Sequence, residues 1–205
     1  MKSYNFFVTA AKLTGILLFP LLFSCSKSDS STSDTPTTTP PPPPTTEELF
    51  YGGNNIDAPS LAAGRYEAAA RFTKEKIGAR VGKAIKEIRF FTTGMPDSVK
   101  VKLYGPSTST APGDLLYSAD VTGGLVASNW NTHKLTKAIT LKNEDIWLSI
   151  EFKLSTGQRS IGCDPGPALM DGDWLYSSMD SLWTPFNKRP NGANINWNIR
   201  LGVEL

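Results

Sequence analysis

Residues 98–104 read Ser-Val-Lys-Val-Lys-Leu-Tyr, and residues 146–152 read Ile-Trp-Leu-Ser-Ile-Glu-Phe. In the first stretch Val99, Val101 and Leu103 share one side, opposite Lys100, Lys102 and Tyr104. In the second, Ile146, Leu148, Ile150 and Phe152 oppose Trp147, Ser149 and Glu151. Successive side chains of a β-strand point to opposite faces, so a period of two marks a half-buried strand. Residues 197–203 repeat the pattern, with Trp197, Ile199, Leu201 and Val203 inward against Asn198, Arg200 and Gly202.

Weaker strands are predicted at Tyr66–Thr73, Ala84–Thr92, Leu115–Val121, Asn129–Leu135 and Gln158–Cys163. Between them lie turn signals such as Pro112-Gly113, Gly123-Gly124 and Asn191-Gly192. The one helical stretch is Lys74–Val81, with Thr73 placed to cap it. The fold class that follows is all-β: a jelly-roll-like β-sandwich of about eight or more antiparallel strands over residues 49–205. An immunoglobulin-like sandwich is disfavoured, because no Cys…Trp…Cys spacing is present.

Residues 1–24 read as a secretory signal peptide. Lys2 and Lys12 supply positive charge, and Gly15–Phe23 is an apolar run too short to span a bilayer. The run ends in Leu22-Phe23-Ser24-Cys25, which resembles a bacterial lipobox. That resemblance implies acylation of Cys25 and tethering of the chain by buried lipid. The next stretch, SKSDSSTSDTPTTTPPPPPTT, has no large apolar residue, and Pro40–Pro44 favours a stiff polyproline spacer. Residues 25–48 are therefore a lipidated cysteine followed by a Ser/Thr/Pro linker. The expected location is the outer membrane, lipid-anchored and surface-exposed.

Composition excludes several functions. The chain holds 21 basic and 19 acidic residues, 2 cysteines and 1 histidine. Without the lysines of residues 1–24, basic and acidic residues balance, which gives no support for nucleic-acid binding. A single histidine leaves neutral-pH acid–base chemistry short of groups. With Cys25 lipidated, Cys163 has no disulfide partner, so a packed core must hold the fold.

The segments AAARFT (68–73), IKEIRFF (85–91), VKVKLY (99–104), LLYSADV (115–121), DIWLSI (145–150), GCDPGP (162–167), Gly172-Asp173-Trp174 and NWNIR (196–200) occur in an order that carries a resemblance. Over about residues 60–205 the chain resembles the jelly-roll modules of surface lipoproteins and of cleaved adhesins of the gingipain-haemagglutinin kind. The resemblance implies a non-catalytic adhesion or carbohydrate/protein-binding module. It supplies no catalytic residues.

Candidate sites concentrate in Asp164–Trp183. Trp174, Trp183 and Tyr176 offer faces on which sugars stack, and Asp173 and Asn187 offer groups for hydroxyls. Asn194, Asn196 and Asn198 are companions. Asp164, Asp171 and Asp173 are candidate calcium ligands, with Asp180 and Asn187 as further oxygens. Of the other tryptophans, Trp130 and Trp197 are expected in the core, and Trp147 outward or against a second layer.

Weaker candidates are a Cys163–His133 pair for nucleophilic catalysis, and a carboxylate pair of Asp171 with Asp173 or Glu151 for glycan hydrolysis. Lys86, Arg89, Lys100 and Lys102 fall on two strands read as neighbours and would form a basic stripe. The rival to a binding module is a structural or assembly lipoprotein docked to a larger outer-membrane complex.

Overall fold

The computed structural model describes residues 45–106 and 108–205. The expected signal peptide, Cys25 and the expected linker up to residue 44 lie outside the described residues. Twelve strands form (β1 Thr46–Leu49, β2 Ser60–Leu61, β3 Gly64–Phe72, β4 Ala84–Thr92, β5 Ser98–Tyr104, β6 Leu115–Asp120, β7 Asn129–Thr140, β8 Ile146–Leu154, β9 Gln158–Arg159, β10 Trp174–Ser177, β11 Leu182–Pro185, β12 Ile199–Glu204). A one-turn helix, α1, spans Lys74–Ile77 and runs into a 3₁₀ turn at Gly78–Arg80. Thr73 caps it as expected, its hydroxyl accepting from the Lys76 N–H at 3.3 Å.

The strands build two facing antiparallel sheets, ordered β1-β12-β4-β7 and β11-β10-β3-β8-β5-β6, with β2-β9 as a small accessory pair. Numbering the eight long segments β1, β3, β4, β5, β6, β7, β8 and β12 from 1 to 8, the sheets run 1-8-3-6 and 2-7-4-5. The first half of the chain thus pairs with the second half run backwards, alternating between sheets. That is a jelly roll, and the short hairpin β10–β11 widens one sheet beyond β3.

The core lies between the sheets, where inward residues of both interdigitate. Tyr66, Ala68, Ala70 and Phe72 of β3 meet Ile85, Ile88 and Phe90 of β4, with Leu148, Ile150, Leu201 and Val203. Trp197 is buried there, as its alternation predicts.

The structure also departs from the sequence reading. The first strand begins at Thr46, before the expected start at residue 49. Residues 174–177 and 182–185, absent from the predicted strands, are strands, because four-residue strands carry too few alternations to be seen. Residues 158–163 form a two-residue strand followed by isolated bridges at Ile161 and Cys163. Trp130 is not a core residue. It pairs with Phe91 on the outer face of edge strand β7, with the guanidiniums of Arg200 and Arg89 lying 4.2 and 5.5 Å from its ring centre. The basic stripe does not form, because β4 and β5 belong to different sheets and place their lysines and arginines on opposite outer faces.

Edge strand β7 is irregular where it pairs with β4. Glu87 pairs with Lys134 and Ile85 with Ile139, so residues 135–138 form a bulge. Tyr117 of β6, in the opposite sheet, anchors this region. Its hydroxyl lies 2.7 Å from His133 Nε2 and accepts from the Thr136 N–H at 3.3 Å. Burial holds the imidazole below its ordinary value of 6.5. A group whose folded value is lowered stabilises the fold above its unfolded value, and that stability is lost as pH falls through the folded one. The melting temperature is therefore expected to drop as pH falls from about 7 towards 5. In His133→Gln the drop over that window should shrink, as differential scanning calorimetry will read.

Candidate functional site

Residues 160–198 are mostly loop, interrupted by the hairpin β10–β11. Their organising group is the Asp164 carboxylate, which is 6% exposed. Oδ1 accepts from the backbone N–H of Gly166 at 2.9 Å and of Asn196 at 2.7 Å, and Oδ2 from the N–H of Gly53 at 2.9 Å. The Asn196 amide also donates to both oxygens. Burial opposes ionisation, but these donors outweigh it and hold the carboxyl below its ordinary value. Asn196 returns the favour along the loop, donating to Pro167 O and accepting from Leu169 N. Gly166 must be glycine: its φ is +77°, and a Cβ would stand 1.9 Å from Asn194 O.

Asp171 has φ of +73°, a strained conformation for a residue with a Cβ. Its Oδ1 accepts from the Arg71 guanidinium at 3.3 Å and from the Trp174 indole N–H at 3.2 Å. Its carbonyl accepts from the Arg71 N–H. Asp173, 2% exposed, accepts from the Asn187 N–H at 3.0 Å. Burial chiefly, with Asp171 nearby, raises its carboxyl above the ordinary value.

The three candidate metal ligands are thus separate. Among the described residues no three carboxylate, imidazole or thiol groups gather to hold a metal ion. Asp164 and Asp171 turn their oxygens to N–H donors, which occupy the lone pairs that calcium would need. Asp180 sits apart in the β10–β11 turn, bonded to Arg189. Asn194, Asn196 and Asn198 are spent on holding loops together.

The aromatic candidates meet on the outer face of the six-stranded sheet. Alternation gives that sheet a second apolar cluster, opposite the core, of Ala69, Trp147 and Trp174, against which Tyr104 and Trp183 pack. Ala69 is small enough to let the indoles converge. Trp147 lies 5.2 Å from Trp174 and 5.8 Å from Trp183, and Trp183 lies 5.5 Å from Tyr176, centroid to centroid. Trp147 is fully buried as the layer beneath. Trp174 is buried too, and so is a wall of the site rather than an exposed platform. Trp183 and Tyr176 remain partly exposed.

Two features flank this cluster. At the Trp174 end a cleft of about 360 Å³ is lined by Met170, Asp173, Trp174, Pro185, Asn187 and Lys188. On the other side Glu67 and Glu151 face each other across β3 and β8, bridged by Lys102 Nζ at 2.8 and 2.6 Å. Tyr104 and Ser149 hydroxyls donate to Glu67. Burial works against the charge on Glu151, but Lys102 and Arg65 outweigh it and keep its carboxyl low. This network was missed from sequence, since its members come from three strands far apart in the chain.

Asp171 and Asp173 line one cleft, but the Cys163–His133 and Asp171–Glu151 pairs do not come together. His133 is bonded to Tyr117, while Cys163 bridges Asp57 and Trp197, its thiol pushed up to about 11 by burial and by Asp164 and Asp57. Glu151 is held by Lys102 and Arg65, and Asp171 by Arg71 and Trp174, on separate strands and loops.

No family model matches the chain, and no curated protein matches it. Among solved structures it is similar to the clostridial cysteine protease Cwp84 after propeptide cleavage, with a TM-score of 0.55 and 11% identity over 78% of this chain and 40% of that one. It is also similar to the cysteine protease and lectin-like domains of Cwp84, a surface-layer-associated protein of Clostridium difficile. There the TM-score is 0.51 and the identity 11%, over 71% of this chain and 33% of that one. At this identity the likeness establishes the fold alone, and the chain spans less than half of either structure.

The Asp164 hub makes a clear prediction. Asp164→Ala orphans the buried N–H of Asn196, at about 1–3 kcal/mol, while the more exposed N–H groups of Gly53 and Gly166 can turn to water. Urea titration should show a loss of about 1–3 kcal/mol.

Proposed function

We propose that this chain is a non-catalytic binding module for glycans, presented from the bacterial surface by a lipid anchor at Cys25. The observation that carries the reading is the aromatic track on the outer face of the six-stranded sheet. Partly exposed Trp183 and Tyr176 lie over buried Trp147 and lead to the cleft beside Trp174. Aromatic faces held rigid by packing stack on the apolar faces of sugars without a further entropic cost of ordering. The cleft then supplies Asp173, Asn187 and Lys188 as polar partners. The description of the structural neighbour as carrying lectin-like domains supports the same reading. Adhesion to a glycan-bearing surface is the biological role that follows.

One feature favours a protein partner instead. Met170 and Leu169 line the cleft beside Trp174 and are 86 and 47% exposed. Flexible apolar side chains of this kind suit protein docking. A module docked to an outer-membrane complex through this rim is the second reading.

Titration of the protein with a glycan panel, followed by tryptophan fluorescence, separates the two. Under the first reading a glycan shifts the emission, and Trp183→Ala weakens binding by about 1–3 kcal/mol, roughly five- to 150-fold. Melting is expected to fall modestly, since Trp183 packs over Trp147. If no glycan binds, and detergent-solubilised envelope contains a partner whose capture is lost in Met170→Asp, the second reading replaces it. For the anchor, metabolic labelling with palmitate is expected to mark the wild-type chain and leave Cys25→Ala unlabelled and released from the membrane fraction.

A further inference from the structure

Beneath the aromatic track lies a hydrogen-bond donor that the fold does not use. We infer that the indole N–H of Trp147 is a ligand-binding group, covered by the Trp183 ring in the free protein and donated to a sugar oxygen once that ring turns aside. This rests on the glycan-binding reading and names a contact within it.

An indole carries a single polar atom, and that atom only donates. Buried indoles ordinarily find an acceptor. Trp174 donates to Asp171 Oδ1 at 3.2 Å, and Trp197 to the carbonyl of Trp174 at 2.8 Å. Trp147 is 0% exposed, and its Nε1 has no acceptor among the described residues. Arg80 and Arg189 also leave Nε unpaired, but their guanidiniums bond through other nitrogens. For Trp147 there is no second donor. Leaving it unanswered costs stability, and a ring without a donor would fill the same space free of that cost. An acceptor oxygen brought by a ligand would recover it.

The cover decides how such an oxygen enters. Trp147 packs with Ala69, Trp174, Tyr104 and Trp183. Ala69 has no rotamer to change. Trp174 is buried and held by Asp171. Tyr104 is held by its hydroxyl, which donates to Glu67 at 2.9 Å. Trp183 is tied by ring contacts alone, to Trp147 at 5.8 Å and to Tyr176 at 5.5 Å. Its ring is partly exposed, and it stands on β11, an edge strand of its sheet. The β10–β11 ladder keeps the strand in place, so the movement is the turn of one side chain, a fast event at a protein surface. A ligand that pairs only with the open form shifts the population towards it. One sugar can then stack on the turned Trp183 face and accept from Trp147.

The test replaces Trp147, in the full-length protein, with benzothienylalanine, a ring of the same outline with sulfur in place of the N–H. Without ligand, the melting temperature should hold or rise, because no bond is lost and an unpaired donor is removed. A clear fall means that the fold does use the N–H, and it overturns the inference. Isothermal titration with cellohexaose, laminarihexaose, mannohexaose and chitohexaose gives the second arm. The oligomer that binds the wild type is expected to bind the substituted protein about fivefold or more weakly. Equal binding leaves the glycan-binding reading standing and overturns the role of Trp147. If none of these oligomers binds the wild type, both fall. Trp183→Ala removes the cover, so the Trp147 indole proton should exchange into heavy water about tenfold faster or more, as NMR will read. Unchanged exchange overturns the gate. Should the substituted protein fail to fold, the wild-type spectrum decides. At saturation with the bound oligomer the Trp147 indole proton should move downfield as it gains an acceptor, and an unmoved signal overturns the inference.

Discussion

A single buried carboxylate, that of Asp164, ties the irregular half of this molecule to its regular half. It gathers N–H groups from the segments around Gly53, Gly166 and Asn196. None of these segments forms a ladder, and the N–H of buried Asn196 would otherwise be left without a partner. An ionised acceptor satisfies several donors at once, more strongly than a neutral one. From that knot the chain is directed to Asp171, and Asp171 sets Arg71 and the Trp174 indole. The site at the sheet surface therefore inherits its geometry from a group that does not line it.

The six-stranded sheet has two apolar faces, which is unusual for a sandwich of this size. The inner face builds the core, while the outer face carries Ala69, Trp147 and Trp174. Hairpin β10–β11 makes this arrangement. It pairs along β3 and brings Trp174 and Trp183 beside Trp147, which would otherwise stand alone. Arg189 holds the hairpin from behind, donating to Asp180 and to the carbonyls of Leu175 and Leu182. The like-charged pair Glu67 and Glu151 is tolerated on the same face because Lys102 stands between them. Aromatic surface and charge network lie side by side on rigid strands, where their positions are set by the ladder rather than by loop motion.

Much of the fold was legible where the strands were long. Ser98–Tyr104, Ala84–Thr92 and the start of β8 fall where alternation placed them, because a period of two needs only a few residues to be unmistakable. The site was legible in part. The stretch Asp164–Trp183 does carry the cleft and the partly exposed aromatics. Alternation could not say that Trp174 is a wall, that Trp130 lies outside, or that three aspartates spaced within ten residues serve three separate knots. Those outcomes depend on which neighbours a folded loop meets.

What the sequence determined by itself is the all-β class, the burial of Trp197 and the core faces of the main strands. These follow from local chemistry, repeated along a single strand. The tertiary structure decided the rest: the 1-8-3-6 and 2-7-4-5 orders, the hairpin that completes the aromatic track, the Glu67–Lys102–Glu151 network and the cleft beside Trp174. Each of these joins residues tens of positions apart, and pairing between distant strands is settled by the packing of the whole sandwich, not by any segment's own preference.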